Sequence, residues 1–517
     1  MPTPVCGTGE IGPFPVWEDQ NSASSCEKDF RNCRFKEVCL EAVYDQGSQT
    51  LKTKHFLFEG PPLKLGYFDS PWEFSNPHVT TGQFDLLFTA YTFETFITRL
   101  AAMRVYRNVE KLLVKNPIDV EISTANMANA FFNQFNYDFF FGMIPGVCHF
   151  ASDSNIILHE FWHLLTFSNS RELGVDMADI EGNAIHEAIS DAGSTVYEKD
   201  PEVGEGVAVC LGAAEEPSPA AGLRNANETQ PSLFYDEEAH GRVELYAPAL
   251  WFSFKELTRL MGNDKEKASE LMTIIIGNMP KFLPARPKKA DFMKAVYNAL
   301  TYVMADEPSF VGKYQFNVPA FMKFLEGEAK ARTIFENDAD KRYAFREYDK
   351  LPKNQIDLAI GRYTKGQTTF KPSYDNDEVV FFQQYYRGIP IEGAGLRFVR
   401  INDKQVRVVP MVADTPTGAA TKTGIEAWKT IMSADTVQKF HTIADKMLRC
   451  GAIRKSEVES ITKEFKKLGN FPKERPERVY LNGSPNLQYK FRLDGVTCYV
   501  DAVDGTVTFH RQKFHSF

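Results

Sequence analysis

The sequence has 517 residues, 43% of them hydrophobic, and a formal net charge of −9 at pH 7. This length is typical of roughly two to four domains, and the apolar content is ample for sizeable cores. The acidic charge without a basic tract argues against nucleic acid or an anionic membrane as a partner, and no apolar run approaches the roughly 18 residues that a transmembrane helix needs.

A cysteine-rich lead segment occupies residues 1–50. Four of the eight cysteines lie there, among glycine, proline, serine and charged residues that can form little core: Cys6, Cys26, Cys33 and Cys39. The even number predicts a disulfide-bonded segment and hence a secreted or periplasmic protein. A second zinc site is the alternative, but no CxxC pair or nearby histidine supports it. The first residues lack the features of a signal peptide, so this peptide has been removed, or export uses another route, or the protein stays inside.

The next two stretches have different periodicities. Residues 51–158 mix strand patterns with one amphipathic helix, predicted by the apolar spacing at 84–100. From 159 to about 345 the pattern is largely helical, with clear periodicity near 247–261 and 289–304. We therefore expect a β-rich lobe and a helical lobe, with a cleft between them for an extended peptide.

The most informative motif is HExxH at 159–163, inside a helical pattern. His159 and His163 lie four residues apart, so one helical face can direct both imidazoles at one zinc ion. Glu160 is offset from the two ligands and can reach a metal-bound water as a general base. The alternative is a chance match on a structural helix, but the apolar spacing on both sides favours the metal site.

A second helical pattern, at 183–193, supplies two more candidates. Glu187 is the candidate third zinc ligand, since catalytic zinc takes three protein ligands and keeps one position open. Asp191 lies one helical turn further on and can accept a hydrogen bond from a ligand histidine.

These two segments resemble the thermolysin-type metallopeptidases, also called gluzincins. In that family the HExxH helix is followed by a helix with a motif close to NEAISD, and this chain has HEAISD at 186–191. The resemblance implies the same roles for the residues named above: His159, His163 and Glu187 as zinc ligands, Glu160 as general base, and Asp191 as the partner of a ligand histidine.

The resemblance extends to two segments outside these helices. The sequence NAFFN at 129–133 is similar to the family's edge strand, which implies that Asn129 and Ala130 bind the substrate backbone by strand addition. The sequence GLRN at 222–225 is similar to the segment whose arginine binds a substrate carbonyl, which implies this role for Arg224. Taken alone, Arg224 would more simply be a solvated surface arginine.

A catalytic histidine is implied in the same way. His240 stands at the offset of the family's histidine that stabilises the tetrahedral oxyanion, and Asp236 or Glu237 could orient it. Taken alone, His240 would more simply be a structural histidine. The chain departs from the family at two points: residues 167–185 contain a small insertion, and residues 168–186 hold no tyrosine to assist the oxyanion.

An acidic loop has four carboxylates within eight residues: Glu198, Asp200, Glu202 and Glu205. Such a set is either solvated or bound to a hard cation, and calcium takes six to eight oxygen ligands. The resemblance implies a structural calcium site here, with a further ligand at Asn155 rather than at an aspartate. A solvated acidic loop is the alternative.

The last part, residues 346–517, begins with a polar linker. The sequence at 381–398 resembles the propeptide module of fungalysin and thermolysin precursors, a strand, a tight turn at Gly-Ile-Pro and a second strand. Residues 424–468 have a helical pattern, and the alternation at 489–507 predicts a hairpin that resembles the peptidase-propeptide (PepSY) fold. An unrelated α+β domain is the alternative. The precursors place this module before the catalytic domain, whereas here it follows, as in a circular permutation.

We therefore expect an α+β fold with a thermolysin-like catalytic domain, whose zinc cleft lies between a β-rich N-lobe and a helical C-lobe, and a C-terminal α+β propeptide-like module. The expected function is a zinc-dependent endopeptidase acting on proteins or peptides. The alternative is a non-catalytic, zinc-containing binding or chaperone-like protein with a blocked or weakened cleft. The module is expected to pack on the catalytic part as an intramolecular chaperone, an inhibitor, or both.

Overall fold

The protein is a mixed α-helical and β-sheet structure, consistent with the expected α+β class. No helix in the described part of the chain is long and apolar enough to cross a membrane. The computed structural model describes residues 6–17, 35–63, 83–113, 115–125, 127, 129–134, 136–144, 148–173, 179–204, 207, 224–227, 239–306, 310, 312–414, 416, 427, 477–481, 486–493, 496–511 and 514–516.

The lead segment forms an antiparallel hairpin of β1 (Glu10–Trp17) and β2 (Phe35–Glu41). A disulfide joins Cys6 to Cys39 at the open end of this hairpin. The other two cysteines of the segment lie outside the described residues.

A mixed sheet of eight strands follows, which we call the N-lobe sheet. Its strands are β3 (Val43–Asp45), β4 (Thr50–Lys52), β5 (Phe56–Glu59), β6 (Ile118–Ala125), β7 (Ala130–Asn133), β8 (Asp138–Ile144), β9 (Cys148–His149) and a strand from the far end of the chain, β21 (Phe514–Ser516). Their order is β21-β7-β8-β6-β5-β4-β3, and β9 pairs with β8. β5, β6 and β8 are parallel, whereas β7 is antiparallel to β8.

Helices dominate the middle of the chain. They are α1 (Gln83–Met103), α2 (Val109–Leu112), α3 (Ser154–Asn169), α4 (Ile180–Glu198), α5 (Ala239–Leu260), α6 (Lys265–Asn278), α7 (Lys289–Thr301), α8 (Val318–Ala331), α9 (Asp338–Ala344) and α10 (Ile356–Tyr363). Short polar side chains cap several N-termini, among them Asp153 before α3 and Asp179 before α4. Two short strands, β10 (Glu202–Val203) and β11 (Arg224–Asn225), pair beside them.

Shorter turns of helix join these elements. They are 3-10 helices at Phe150–Ser152, Met279–Phe282 and Lys353–Gln355, and a π-helix at Tyr302–Asp306.

Aromatic rings fill the space between α1, α3 and the N-lobe sheet. Phe93 of α1 contacts Phe56, Phe139 and Phe161, with ring centroids 4.9–5.0 Å apart. This packing fixes the HExxH helix against the sheet.

The C-terminal module has its own sheet of nine strands. They are β12 (Lys350–Pro352), β13 (Thr368–Asp375), β14 (Val379–Tyr386), β15 (Ile389–Arg400), β16 (Gln405–Met411), β17 (Glu477–Leu481), β18 (Leu487–Leu493), β19 (Val496–Asp501) and β20 (Val507–Arg511). Their order is β12-β16-β15-β17-β18-β19-β20, with β13-β14 added beside β15. The strand–turn–strand pattern at 381–398 is present, and Gly388 in its turn has a φ of +75°.

This module packs on the helical part through shared core and buried charge. Tyr374, Phe381 and Val399 belong to the same hydrophobic cluster as the helices. Lys281 pairs with Glu378 in a fully buried ion pair across the contact. Because both charges are removed from water, the docking geometry at this point must be well defined.

A second buried cation strengthens this contact. Arg397 of β15 pairs with Glu172 at 2.8 Å and donates to the carbonyls of Pro280 and Leu283 at 3.0 and 2.6 Å. The guanidinium is fully buried. The described strands of the module are therefore an integral part of the structure and not a loosely tethered attachment.

Two of the expected domain boundaries pass through elements of the structure. The boundary after residue 50 falls inside β4, and β3 of the lead segment belongs to the N-lobe sheet. The boundary after residue 158 falls inside α3.

The hairpin expected at 489–507 is a meander of β18, β19 and β20, whose last turn contains Gly505 with a φ of +83°. The helices expected at 424–468 lie outside the described residues, except for residue 427.

Candidate metal centre

The helix α3 positions the two histidines of HExxH. Asp153 caps the helix by accepting the backbone N–H groups of Asn155 and Ile156. Every residue of α3 is buried, so the helix runs through the interior. The rings of His159 and His163 have centroids 4.6 Å apart and nearly perpendicular planes, and their Nε2 atoms lie 2.9 Å apart.

The helix α4 brings Glu187 to the same point. Its Oε2 lies 3.3 Å from Nε2 of His159 and 3.4 Å from Nε2 of His163. Ligand atoms bound about 2.0–2.2 Å from a tetrahedral zinc are about 3.3–3.6 Å apart. The three atoms therefore fit one face of a zinc tetrahedron, provided that the edge between the histidines widens by about 0.4 Å.

The two ligand helices are close because one of them has a glycine at the contact. A Cβ at Gly193 of α4 would lie 2.4 Å from the indole ring of Trp162 in α3. This distance is far below van der Waals contact, so any side chain would force the helices apart. Trp162 immediately precedes His163, and the packing at Gly193 therefore controls the position of a candidate ligand.

Partners on the far side of each imidazole ring orient the Nε2 atoms, which are the candidate ligand atoms. Nδ1 of His159 lies 2.7 Å from Oδ1 of Asp191, in ion-pair contact. Nδ1 of His163 lies 3.0 Å from Oγ of Ser190, which itself donates to the carbonyl of His186. Both contacts favour a proton on Nδ1 and leave the lone pair of Nε2 facing the third ligand atom. A metal cation would stabilise three electron-rich atoms held this close.

Glu160 lies beside the ligands and contacts the edge strand. One of its carboxylate oxygens is within 4.8 Å of the ligand atoms of both histidines. Its Oε2 accepts the backbone N–H of Phe132 in β7 at 2.8 Å. Its Oε1 is buried and has no hydrogen-bond partner among the described residues. A carboxylate at this separation could reach a water molecule on a metal ion bound there.

The charges of the centre are strongly coupled. Burial raises the pKa of Glu160 to about 8. Burial lowers the pKa of His159, but the contacts with Asp191 and Glu187 outweigh it and raise the pKa to about 9. Burial also disfavours the Asp191 carboxylate, yet Arg224 and His159 hold its pKa at about 2. A divalent cation would favour the ionised carboxylates and displace the proton from the imidazole.

Arg224 reaches the centre through Asp191. Its Nε and Nη2 each donate to one carboxylate oxygen at 2.7 Å, which is a bidentate pair. It lies in β11, and 18% of its side chain is exposed. The guanidinium is therefore fixed beside the centre at a position that solvent reaches.

Two of the remaining candidate residues lie near the site in the structure. The side chains of three others are outside the described part of the chain. Asn129 precedes β7 and Ala130 begins it, two residues before Phe132, which contacts Glu160. His240 lies in the first turn of α5, but its side chain is outside the described part of the chain, as are Asp236 and Glu237.

The acidic loop does not form a metal-ligand cluster in the described residues. The carboxylates of Glu198, Asp200 and Glu202 are not close enough to one another to hold one metal ion. Glu205 lies outside the described residues. Asp200 accepts the backbone N–H of Glu202 at 3.1 Å. Asn155 donates to the carbonyl of Glu202 at 2.7 Å, so this loop is connected to the start of α3.

Two contacts of the centre were not expected from the sequence. Ser190 had a usable signal, because Glu187, Ser190 and Asp191 share one face of α4 at i, i+3 and i+4. The N–H of Phe132 had none, since a backbone donor carries no side-chain signature.

No model of a protein family matches the sequence, and no curated protein is significantly similar to it.

Proposed function

We propose that the chain is a zinc-dependent endopeptidase with a thermolysin-like catalytic domain. The main support is the convergence of His159, His163 and Glu187 within 3.4 Å, beside the buried carboxylate of Glu160. Two imidazoles and one carboxylate are a donor set that catalytic zinc prefers. When bound, zinc would supply Lewis acidity to a substrate carbonyl and lower the pKa of a water.

The residues of the chain have separate roles in this proposal. Glu160 takes a proton from the attacking water and gives it to the leaving amine. Asp191 and Ser190 hold the ligand rings by their Nδ1 atoms. Arg224 binds a carbonyl of the substrate, and His240 stabilises the developing oxyanion.

The substrate proposed for this site is an extended polypeptide. β7 lies at the boundary between the N-lobe sheet and α3, and its Phe132 is hydrogen-bonded to Glu160. A peptide that pairs with β7 from Asn129 and Ala130 onwards would lie across the candidate metal centre. Strand addition binds backbone and so tolerates many sequences, as an endopeptidase requires.

A peptidase assay with metal removal tests this function. The purified full-length chain is incubated with a quenched fluorescent peptide library or with casein, before and after dialysis against a zinc chelator. We expect cleavage that disappears with the chelator and returns with stoichiometric zinc. A folded, zinc-loaded chain that cleaves neither substrate would contradict the proposal.

A non-catalytic binding or chaperone-like function is the second candidate. It is favoured by one specific observation, that β7 is already paired with β21 from the end of the chain. A permanently filled edge strand would block a substrate and leave zinc with a structural role. The same assay separates the two functions, provided that zinc content is measured on the sample assayed.

Two secondary proposals concern a calcium site and the cellular compartment. Calcium at the acidic loop would draw together Glu198, Asp200, Glu202 and Glu205, whose described members form no ligand cluster here, and would tie them to the start of α3, where Asn155 contacts the loop. The disulfide between Cys6 and Cys39 supports an oxidising compartment, and we propose that the protein is secreted or periplasmic.

A further inference from the structure

The end of the chain forms a strand on the outer edge of the N-lobe sheet. β21 (Phe514–Ser516) runs antiparallel to β7, with Phe514 opposite Asn133, His515 opposite Phe132 and Ser516 opposite Phe131. β7 has β8 on its other side. A peptide could therefore pair only with the other edge of β7. In the described structure, β21 covers that edge.

The register places this strand at the candidate centre. Phe132, which stands opposite His515, is the residue whose N–H donates to Glu160. An extended peptide bound by strand addition would need the same backbone positions of β7. The strand and a substrate would therefore exclude each other.

Only a short connection joins β21 to the last strand of the module sheet. β20 ends at Arg511 in the module sheet, and β21 begins at Phe514 in the N-lobe sheet. Three Cα–Cα steps span at most about 11 Å. The last edge of the module sheet must therefore lie beside β7. The module is fixed on the helical part by the buried pairs of Lys281 with Glu378 and of Arg397 with Glu172.

We propose that β7 is a peptide-binding edge whose resident occupant is the chain's own C-terminal strand, which acts as a tethered competitor of the substrate. This inference rests on the proposed function, because it names the regulation of the same site. A ladder of three residues is short and binds weakly in isolation. Tethering supplies a high effective concentration, so the strand stays bound yet can be displaced.

Removal or displacement of this strand would then open the site. Trimming of the last residues by another peptidase would activate the protein, and a long substrate segment of high β propensity would compete with the strand. The partner class that fits the edge is therefore an extended, unfolded polypeptide, and the tethered strand sets the threshold for its entry.

The test compares three forms of the full protein: wild type, His515→Pro and His515→Ala. Proline has no backbone N–H and disfavours the strand, whereas alanine removes the same side chain and keeps the backbone able to pair. Hydrogen exchange at residues 131–133 reports the strand, and kcat/KM with a quenched peptide reports the site. We expect faster exchange and at least a tenfold higher kcat/KM for His515→Pro, with His515→Ala near wild type.

A third variant ends at Arg511, and a synthetic peptide of residues 509–517 is added back to it. We expect the peptide to bind, by fluorescence anisotropy, and to inhibit competitively. The inference would be overturned if hydrogen exchange and kcat/KM were unchanged in His515→Pro and in the chain that ends at Arg511, and if the peptide did not bind. If every form binds zinc and the peptide but none hydrolyses substrate, the proposed peptidase function fails while the strand-binding edge stands.

Discussion

Oγ of Ser190 lies 3.0 Å from Nδ1 of His163, so a small hydroxyl holds the ring of a candidate zinc ligand. Outer partners of this kind typically change metal affinity by about 10–100-fold when they are removed. Ser190→Ala should therefore bind zinc about tenfold more weakly, since the ring loses its orienting acceptor.

A competition titration with a chromophoric chelator measures this effect. Ser190→Thr keeps the hydroxyl and is the matched control, which should recover most of the affinity. Equal zinc affinity of wild type and Ser190→Ala would show that Ser190 does not orient His163.

The glycine between the ligand helices gives a second prediction. Gly193→Ala should destabilise the protein by about 1–3 kcal/mol, because the new methyl group overpacks the contact with Trp162. It should also weaken zinc binding, since α3 and α4 can no longer keep their spacing. Gly327→Ala is the control: Gly327 lies in α8 with nothing within 4 Å of an added Cβ, so its replacement should be neutral or stabilising.

Urea unfolding with and without zinc measures both parts of this prediction. A Gly193→Ala protein as stable as Gly327→Ala, with normal zinc affinity, would mean that the close helix contact is not required.

The buried pair of Lys281 and Glu378 gives a third prediction, about the module. Lys281→Met leaves the buried carboxylate of Glu378 without its counter-charge and should destabilise the chain by about 3–5 kcal/mol. The double variant Lys281→Met with Glu378→Gln should recover part of this loss. Lys313→Met, which breaks the partly exposed pair with Glu270, should cost less than about 1 kcal/mol.

Chemical denaturation followed by circular dichroism is suitable for this comparison. Equal stability losses in Lys281→Met and Lys313→Met would argue against a well-defined docking contact. For the same reason, a chain truncated before residue 370 should fold poorly, because the partners of Lys281 and Glu172 are removed.

The convergence of the candidate zinc ligands was the most predictable part of this protein, for a physical reason. His159, His163 and Glu187 lie on two helices whose periodicity is visible in the sequence, so their faces follow from residue spacing alone. Ser190 was predictable from the same face of α4 but was not identified.

Contacts between distant segments were not predictable from periodicity. Arg397 is 225 residues from Glu172, and no local pattern signals that two such charges will be buried together. The pairing of β21 with β7 is a register between strands more than 380 residues apart, set by the docking of the module. The pairing of β3 with β4 joins the end of the lead segment to the N-lobe sheet, and no local pattern signals this pairing.

The most direct test of the central claim is the variant Glu160→Gln, assayed for both zinc and peptide hydrolysis on the same sample. We expect both Glu160→Gln and wild type to bind one zinc per chain. The hydrolysis rate of Glu160→Gln should fall by about 10²–10⁴-fold, because the amide cannot accept the proton of the attacking water. Glu187→Gln is the control, which should lose zinc and activity together. Retention of most of the hydrolytic activity by a zinc-loaded Glu160→Gln protein would contradict the account.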